Sequence, residues 1–397
     1  MAKWLFISTI EIAALNKKIG LLNFHYSDHN YGAVLQAAAL ADVINRLGYS
    51  VEHIDFIPNK MAQKMTLRQL LVTVLAALGV KSLIKRMLGK KEYIKPTVNG
   101  AEVFEQFRDV WVARSQQTYT ASQQLKTVGT TYSAVVVGSD QVWRPNMFVN
   151  KHQDVEAYFL SFLPDSVTRV SYAASFGVDK WEETSDAILS DHVRKAMTKF
   201  NAVSVREQTG VAICRDHFGV TAQHVLDPTL LNGVDFFERV IAKAGVSKQN
   251  ENVVYYKLDV DSTFISAIKH IGDILQTPTE DIYYQKSDAS YRYIPVADWL
   301  AKIRDSKFVV TDSFHCVCLA ILFNKEFICF ANKDRGLARL QSLLSSLGIE
   351  GRLCEQNQSL TAFFTNCRPI NYASVNAKLS EMRISSLAFL EEALEIR

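Results

Sequence analysis

The sequence predicts an α/β fold with mainly parallel sheets, and three observations support this prediction. Short apolar, β-branched or aromatic runs alternate with amphipathic stretches of ten or more residues, a pattern typical of βαβ units covered by helices on both faces. The chain has 397 residues, which at about 100–200 residues per domain suggests two domains. Hydrophobic residues make up 48% and charged residues 21%, an ordinary globular balance that excludes disorder and a disulfide-dense scaffold.

The alternating pattern predicts the elements in chain order. Strands are predicted at Ile19–Phe24, Val51–Phe56, Ala134–Val137, Arg169–Ala173, Ala202–Val205, Gln223–Leu226, Val253–Leu258, Asp281–Gln285, Phe308–Val310 and Glu326–Phe330. Helices are predicted over Gly32–Leu47, Glu102–Val112, Ser185–Phe200, Val296–Asp305, Cys316–Phe323 and Leu337–Leu347. A polar seam at 179–186 divides the chain into a first lobe, residues 1–185, and a second lobe, residues 186–373. The remaining segment, residues 374–397, is an amphipathic helix that we expect to pack back on the first lobe.

Charge is unevenly distributed along the chain. The 44 Lys and Arg residues against 41 Asp and Glu give a formal net charge of +3. Nine of these basic residues and one acid lie within residues 60–95, so the rest of the chain carries a net charge of −5. This balance argues against a nucleic-acid-binding protein and fits a mildly acidic enzyme with one cationic appendage.

The cationic segment, residues 60–95, predicts a basic helical hairpin. Aliphatic side chains recur at helical spacing on both sides of Gly79, and lysines and arginines occupy the positions between them. Two interpretations stay open. The hairpin either docks on the protein with a solvated cationic face, or it contacts an anionic membrane surface or a lipid-linked anionic glycan.

Cysteine usage and the apolar runs predict a cytoplasmic protein. The six cysteines show no C-x-x-C spacing and no usual zinc pattern, so reduced thiols are expected. The apolar run Trp4–Ile10 is too short for a signal-peptide core. The uncharged stretch Gln69–Val80 is shorter than the ~20 residues of a membrane-spanning helix. Contact with the inner face of the membrane would therefore be peripheral, through residues 60–95.

The loop after the first predicted strand is the first candidate for a binding site. In open parallel sheets, ligands bind beyond the carboxyl ends of the strands. Asn30, Tyr31 and Gly32 form a small polar loop there, at the start of a long helix. Glycine allows close backbone approach, and the free amides of a helix start favour an anion or an oxygen-rich sugar.

A second candidate group, Ser139, Asp140 and Trp143, follows the predicted strand Ala134–Val137. Asp140 can accept hydrogen bonds from sugar hydroxyls or act as a base, and Trp143 offers a stacking face. The alternative is structural, with Ser139 or Asp140 capping a turn and Trp143 in the core.

Two charged residues follow strands of the predicted second lobe. Arg206 comes directly after Ala202–Val205, where it can bind phosphate or carboxylate, or else pair with Glu207 on the surface. Asp227 follows the strand at 223–226 and is expected to cap a turn rather than to take part in chemistry.

His315 is the strongest local signal. It follows a buried strand and a small polar turn, at the start of an apolar helix, and histidine is a natural proton donor near neutral pH. The alternative is a structural histidine, but a place on the same sheet edge as Arg206 favours the functional interpretation. Arg335 and Arg339 flank Gly336, where either could reach an anion or lie on a helix surface. No cluster of histidines and carboxylates has metal-ligand spacing, so no metal site is expected.

Four motifs occur in a fixed order along the chain: Asn30–Gln36, Val137–Trp143, Ser204–Glu207, and Thr311–His315 followed by Phe323–Lys325. Together they resemble the polysaccharide pyruvyl transferase family, over roughly residues 19–353. The resemblance implies two Rossmann-like lobes facing across a cleft, similar to GT-B glycosyltransferases. It also implies that pyruvate is transferred from phosphoenolpyruvate to a sugar as a cyclic ketal, with phosphoenolpyruvate as co-substrate and no cofactor.

The resemblance also implies roles for individual residues. In the family, an arginine matching Arg206 and a histidine matching His315 contact the donor. Many relatives carry a further arginine where this chain has Ser313, which can donate a hydrogen bond but has no charge.

From these motifs we expect His315 to act as general acid and Asp140 to orient or deprotonate an acceptor hydroxyl. The donor side is expected to comprise Arg206, Ser313, Phe314, Arg335 and Arg339. The acceptor side is expected to comprise Asn30, Tyr31, Gly32, Ser139 and Trp143.

The expected acceptor is a sugar of a bacterial-type surface polysaccharide or its lipid-linked precursor. One alternative is a GT-B glycosyltransferase that uses a nucleotide-sugar. The other is a non-catalytic glycan-binding protein of the same fold, and Ser313 in place of arginine is the sequence feature in its favour.

Overall fold

The structure is a computed structural model that describes residues 17–58, 97–148, 151–257, 260–287, 290–331, 336–355 and 358–395. The predicted basic hairpin and Arg335 lie outside these residues, so both stay predictions. None of the described helices has both the length and the apolar character needed to cross a membrane.

The first lobe is built on six parallel strands in the order β2-β1-β4-β5-β6-β7. These strands span Lys18–Leu22 (β1), Ser50–His53 (β2), Ala134–Val137 (β4), Thr168–Ala174 (β5), Ala202–Val205 (β6) and Gln223–His224 (β7). Four consecutive buried residues in β4 show why the central strands read as continuous apolar runs, because both faces of the sheet are covered.

The second lobe is built on five parallel strands in the order β14-β13-β12-β8-β9. They span Val253–Tyr256 (β8), Thr279–Asp281 (β9), Phe308–Thr311 (β12), Phe327–Phe330 (β13) and Leu353–Cys354 (β14). A small third sheet joins the lobes: the antiparallel hairpin of Tyr284–Ser287 (β10) and Ser290–Tyr293 (β11) pairs in parallel with Val98–Asn99 (β3). The prediction of two Rossmann-like lobes with mainly parallel sheets is confirmed.

Helices cover both sheets. They span Tyr31–Arg46 (α1), Glu102–Trp111 (α2), Lys151–Tyr158 (α3), Ala187–Met197 (α4), Gln208–Ile213 (α5), Pro228–Asn232 (α6), Val234–Lys243 (α7), Ser262–Leu275 (α8), Val296–Asp305 (α9), Phe314–Leu322 (α10), Leu337–Leu347 (α11), Leu360–Asn366 (α12) and Tyr372–Leu394 (α13).

The boundary between the lobes differs from the predicted one at residues 185 and 186. Strand β6 pairs with β5 through Val170 and Ala202, and β7 pairs with β6 through Ser204 and Gln223. The first sheet therefore continues to His224. The polar seam near residue 180 is only the approach to α4, an ordinary crossover helix between two strands of the same sheet.

Helix α1 is the central element between the two lobes. Asn30 caps its first turn by accepting a hydrogen bond from the Ala33 amide, and thirteen of its sixteen residues are buried. Leu40 and Ile44 belong to the core of the first sheet, whereas Val34 and Leu35 pack into the core of the second lobe. The helix is apolar on nearly every side because it has a packing partner on nearly every side.

Helix α13 contacts both lobes. Leu390 and Leu394 are buried in one cluster with residues of β1 and α1, so this end of the helix packs on the first sheet. Val375 and Leu379, at its other end, are buried in the core of the second lobe. The helix thus links the two lobes on the side away from the β4 and β6 loops only through apolar packing.

We expect truncation of α13 at its buried contact to destabilise the protein. Leu390→Ala removes a side chain with 0% exposure and should lower the free energy of unfolding by about 2–5 kcal/mol through lost burial and cavity formation. Ile384→Ala, on the same helix but 70% exposed, is the matched control. Urea denaturation followed by circular dichroism measures both, and equal effects would contradict the packing described.

Candidate active site at the lobe interface

The carboxyl ends of the two parallel sheets face each other and bring five charged side chains together. The first lobe contributes Asp140 after β4, Arg206 after β6 and Asp227 after β7. The second lobe contributes His315 from the start of α10 and Arg339 from α11. All five side chains are buried, so their charges must be compensated by one another.

Arg206 lies at the centre of this group. Its Nη1 donates to Asp227 Oδ2 at 2.7 Å, and its Nη2 donates to Asp140 Oδ1 at 3.1 Å. Its guanidinium carbon lies 4.5 Å from the centre of the Phe314 ring, a cation–π contact across the lobe interface. The buried Nε–H of Arg206 has no hydrogen-bond partner within the described part of the chain. The guanidinium is thus held on one edge and presents a further donor.

Asp227 has two roles. Its Oδ1 accepts from the Thr229 amide at 2.9 Å, which is the turn cap that the sequence predicts. Its Oδ2 accepts from Arg206 and from the Ser139 hydroxyl at 3.0 Å, and it lies 3.5 Å from His315 Nε2. Asp227 is therefore a site residue that sequence reasoning missed. Its place directly after a strand of the same sheet as Arg206 is the signal that could have found it.

His315 connects the second lobe to the arginine. Its Nε2 lies 3.2 Å from Arg206 Nη1, so a neutral ring with its proton on Nδ1 accepts a hydrogen bond there. A protonated ring instead points an N–H at Asp227 Oδ2. The ring also packs directly over Gly32, because a Cβ at position 32 would lie 2.2 Å from His315 Nδ1.

Arg339 supplies a second guanidinium. Its Nη1 lies 3.6 Å from Asp140 Oδ1, and its guanidinium carbon lies 5.5 Å from the centre of the Phe314 ring. Burial and the neighbouring charge of Arg206 lower the pKa of Arg339 to about 10, so it is still a cation at neutral pH. The site thus holds two guanidiniums on one aromatic ring.

The two aspartates stay ionised inside the protein. Burial alone would raise the pKa of Asp140, but Arg206, His315 and Arg339 outweigh it and hold that pKa below its usual value. Burial likewise opposes ionisation of Asp227, and His315 and Arg206 lower its pKa further than that of an ordinary aspartate. Within the described residues, no group of three or more His, Cys, Asp or Glu side chains is placed to hold a metal ion.

Two of the predicted acceptor residues belong to the core instead. Trp143 is fully buried, stacks on Phe159 at 5.0 Å and donates its indole N–H to the Tyr158 carbonyl. Tyr31 is fully buried and stacks on Trp299 at 4.6 Å across the lobe interface. Neither side chain has a face left for a sugar, so the expectation that they bind acceptor is wrong.

The other predicted residues take mixed positions. Asn30 caps α1, and Ser313 caps α10 by accepting from the Cys316 amide at 3.4 Å. Ser313 therefore does not fill the place of the arginine that relatives carry there. Arg206 meets His315 as expected, but from the opposite lobe, because β6 belongs to the first sheet. Ser139 lies inside the site through its bond to Asp227.

The fold and the site together define a class: an α/β protein with two Rossmann-like lobes in the GT-B arrangement and a buried site of paired charges between them. Comparison of the sequence with protein families is more specific. A family model described as polysaccharide pyruvyl transferase matches residues 30–334, which include every charged residue of the site except Arg339. The chain belongs to the polysaccharide pyruvyl transferase family.

Comparison with solved structures supports the fold. S. aureus MnaA, solved with UDP, is 9% identical with a TM-score of 0.51, over 92% of this chain and 91% of that one. A putative UDP-N-acetylglucosamine 2-epimerase from Listeria monocytogenes is 8% identical with a TM-score of 0.48, over 92% and 90%. Thermobaculum terrenum O-GlcNAc transferase is 10% identical with a TM-score of 0.45, over 96% and 66%. No curated protein matches the sequence.

We expect Gly32→Ala to force His315 away from the first lobe. In an exposed helix this change would stabilise by about 1 kcal/mol, but here the added Cβ meets the imidazole at 2.2 Å. The melting temperature should fall. Gly351→Ala, where a Cβ meets nothing within 4 Å, is the control. Differential scanning calorimetry compares the two, and an unchanged melting temperature for Gly32→Ala would contradict the close approach.

Asp227→Asn should strongly destabilise the protein, because it leaves the buried Arg206 with one carboxylate fewer. The expected loss is about 3–5 kcal/mol in the free energy of unfolding, measured with urea at neutral pH. The Asp227 pKa is depressed on folding, so its contribution is complete above the unfolded value of 3.8 and is lost as pH falls through the folded value. The difference between variant and wild type should therefore shrink in acid.

Asp216→Asn is the matched control for Asp227→Asn. Asp216 pairs with Arg215 at 2.7 Å on the surface, where an ion pair contributes little to stability. Equal destabilisation by both variants, or a loss at Asp227 that does not depend on pH, would show that the buried pair is not a main contributor.

Proposed function

We propose that the protein transfers pyruvate from phosphoenolpyruvate to a saccharide as a cyclic ketal and releases phosphate. The family match supports pyruvyl transfer. The observation that carries the proposal for the donor is the meeting of His315 with Arg206 at 3.2 Å, beside the second guanidinium of Arg339. Phosphoenolpyruvate offers a phosphate and a carboxylate to two such cations and an enol carbon to the imidazole.

The chemistry needs one acid and one base. His315 protonates C3 of the enol phosphate, so that C2 becomes electrophilic and one sugar hydroxyl adds there, losing its proton to a base. The C2–O bond to phosphate then breaks, and a second hydroxyl adds to the resulting cation at C2. One of the two hydroxyl protons replaces the proton given to C3, and the other leaves with phosphate. Arg206 and Arg339 stabilise the phosphate charge as it develops.

Asp140 is the proposed base for the acceptor hydroxyl. It is ionised, it lies on the loop after β4 in the first lobe, and its carboxylate faces His315 from the opposite side of Arg206. The proposed acceptor is a sugar of a surface polysaccharide or of its lipid-linked precursor. A cytoplasmic location at the inner face of the membrane, with residues 60–95 as the contact, is part of the same proposal.

One alternative keeps a specific observation in its favour. S. aureus MnaA, which has a similar fold, was solved with UDP, so a nucleotide-sugar donor is the second candidate. Thermal protection by uridine nucleotides, with none from phosphoenolpyruvate, would favour it. Protection by neither, together with binding of a glycan, would favour a non-catalytic protein, for which Ser313 in place of arginine is the supporting feature.

We expect His315→Gln to lose turnover while donor binding persists. The assay incubates the protein with phosphoenolpyruvate and a panel of hexosides and lipid-linked sugars, following phosphate release and the mass of the acceptor. General acid catalysis contributes about 10²–10⁴-fold, so turnover should fall by that factor. His192→Gln, on the surface beside Glu156, is the control and should keep its activity. Full turnover by a folded His315→Gln protein would exclude His315 as the acid.

A further inference from the structure

Asp140 lies where an anion of the donor would have to bind. Its Oδ1 is 3.1 Å from Arg206 Nη2 and 3.6 Å from Arg339 Nη1. Both guanidiniums lie against the Phe314 ring, which fixes their distance from each other. One carboxylate oxygen between two cations on a rigid aromatic support is the contact pattern that a carboxylate or phosphate ligand would make.

The other buried carboxylates of the site are held differently. Asp227 is fixed by the Ser139 hydroxyl and the Thr229 amide as well as by Arg206. Glu207 accepts from the Ser175 hydroxyl and from the Phe176 and Gly177 amides. The Oδ1 of Asp140 accepts one local hydrogen bond, from the adjacent Gln141 amide, and its residue has a left-handed φ of 73°. Of the three, Asp140 depends most on the guanidiniums for its position.

We propose that Asp140 occupies the donor's anion subsite in the empty enzyme, and that Arg206 and Arg339 together form this subsite once Asp140 has moved away. The identity of the anion as phosphoenolpyruvate rests on the proposed function, whereas the subsite itself does not. Exchange of one carboxylate for another anion keeps the buried charge compensated, which an added anion would not. Arg339 then provides the cation that Ser313 lacks.

The exchange has a consequence for the order of binding. While Asp140 pairs with the two guanidiniums, its carboxylate is engaged and cannot accept the proton of an acceptor hydroxyl. Donor binding releases it, so the base becomes competent only after the donor is in place. The acceptor should therefore bind productively second.

Asp140→Asn tests the subsite, because it keeps the shape of the side chain and removes the competing charge. Isothermal titration calorimetry with inorganic phosphate and with phosphoenolpyruvate should show binding tighter by about tenfold than in the wild type, the change expected when one competing buried anion is removed. Turnover should fall because the base is lost, so the variant separates donor affinity from kcat. Asp140→Ser, with folding checked by circular dichroism, replaces it if the asparagine variant does not fold.

Glu207→Gln is the matched control, since it removes a buried carboxylate next to Arg206 without vacating the position between the guanidiniums. Its effect on anion binding should be much smaller. In the background of Arg339→Gln, the gain from Asp140→Asn should largely disappear, because one wall of the subsite is missing.

The outcomes separate this inference from the proposed function. Equal or weaker anion binding by Asp140→Asn, a gain as large in Glu207→Gln, or binding of neither anion overturns the inference, whatever the donor is. Tighter binding of inorganic phosphate without any binding of phosphoenolpyruvate supports the subsite and overturns the donor assignment. Tighter binding of both supports the inference together with that donor.

Discussion

A guanidinium with only 3% exposure to water requires carboxylates beside it, and Arg206 has two. The arrangement around it decides how the lobes meet. Arg206, Asp140 and Asp227 come from the first lobe, whereas the aromatic ring and the imidazole that complete their surroundings come from the second. The electrostatic balance of the site is therefore reached only when the lobes are closed. Lobe closure and assembly of the chemical groups are one event in this structure.

The closed arrangement is possible because the packing at the interface leaves no space between the backbones. Gly32 lets the imidazole of His315 approach helix α1 to a distance that any side chain would prevent. One residue earlier, Tyr31 stacks on Trp299 with the two rings 2° from parallel, and its hydroxyl donates to the Ile294 carbonyl at 2.8 Å. The same turn of helix thus contributes an apolar contact, a hydrogen bond and a close approach to the join between the lobes.

Sequence patterns predicted the elements best where each residue's environment is set locally. The strand Ala134–Val137 and the helices Val296–Asp305 and Leu337–Leu347 have the predicted bounds because an uninterrupted pattern defines them. The short strands β3 and β14 were missed because partner strands far away in the chain define them.

The same division applies to the site. Arg206 and His315 were recognisable from their places after strands, but the lobe to which Arg206 belongs depends on which strand β6 pairs with, and no local signal reports that. Trp143 shows a further limit, because an indole that stacks on a sugar and one that stacks on Phe159 have the same sequence environment. Helix α13 carries this dependence on distant partners into synthesis. Leu390 and Leu394 complete the core around β1, a strand made more than 350 residues earlier. During translation the first lobe must wait, with that apolar face uncovered, until the end of α13 has left the ribosome. A chaperone that binds exposed apolar surface would have its longest opportunity on this lobe, although it is the first to be made.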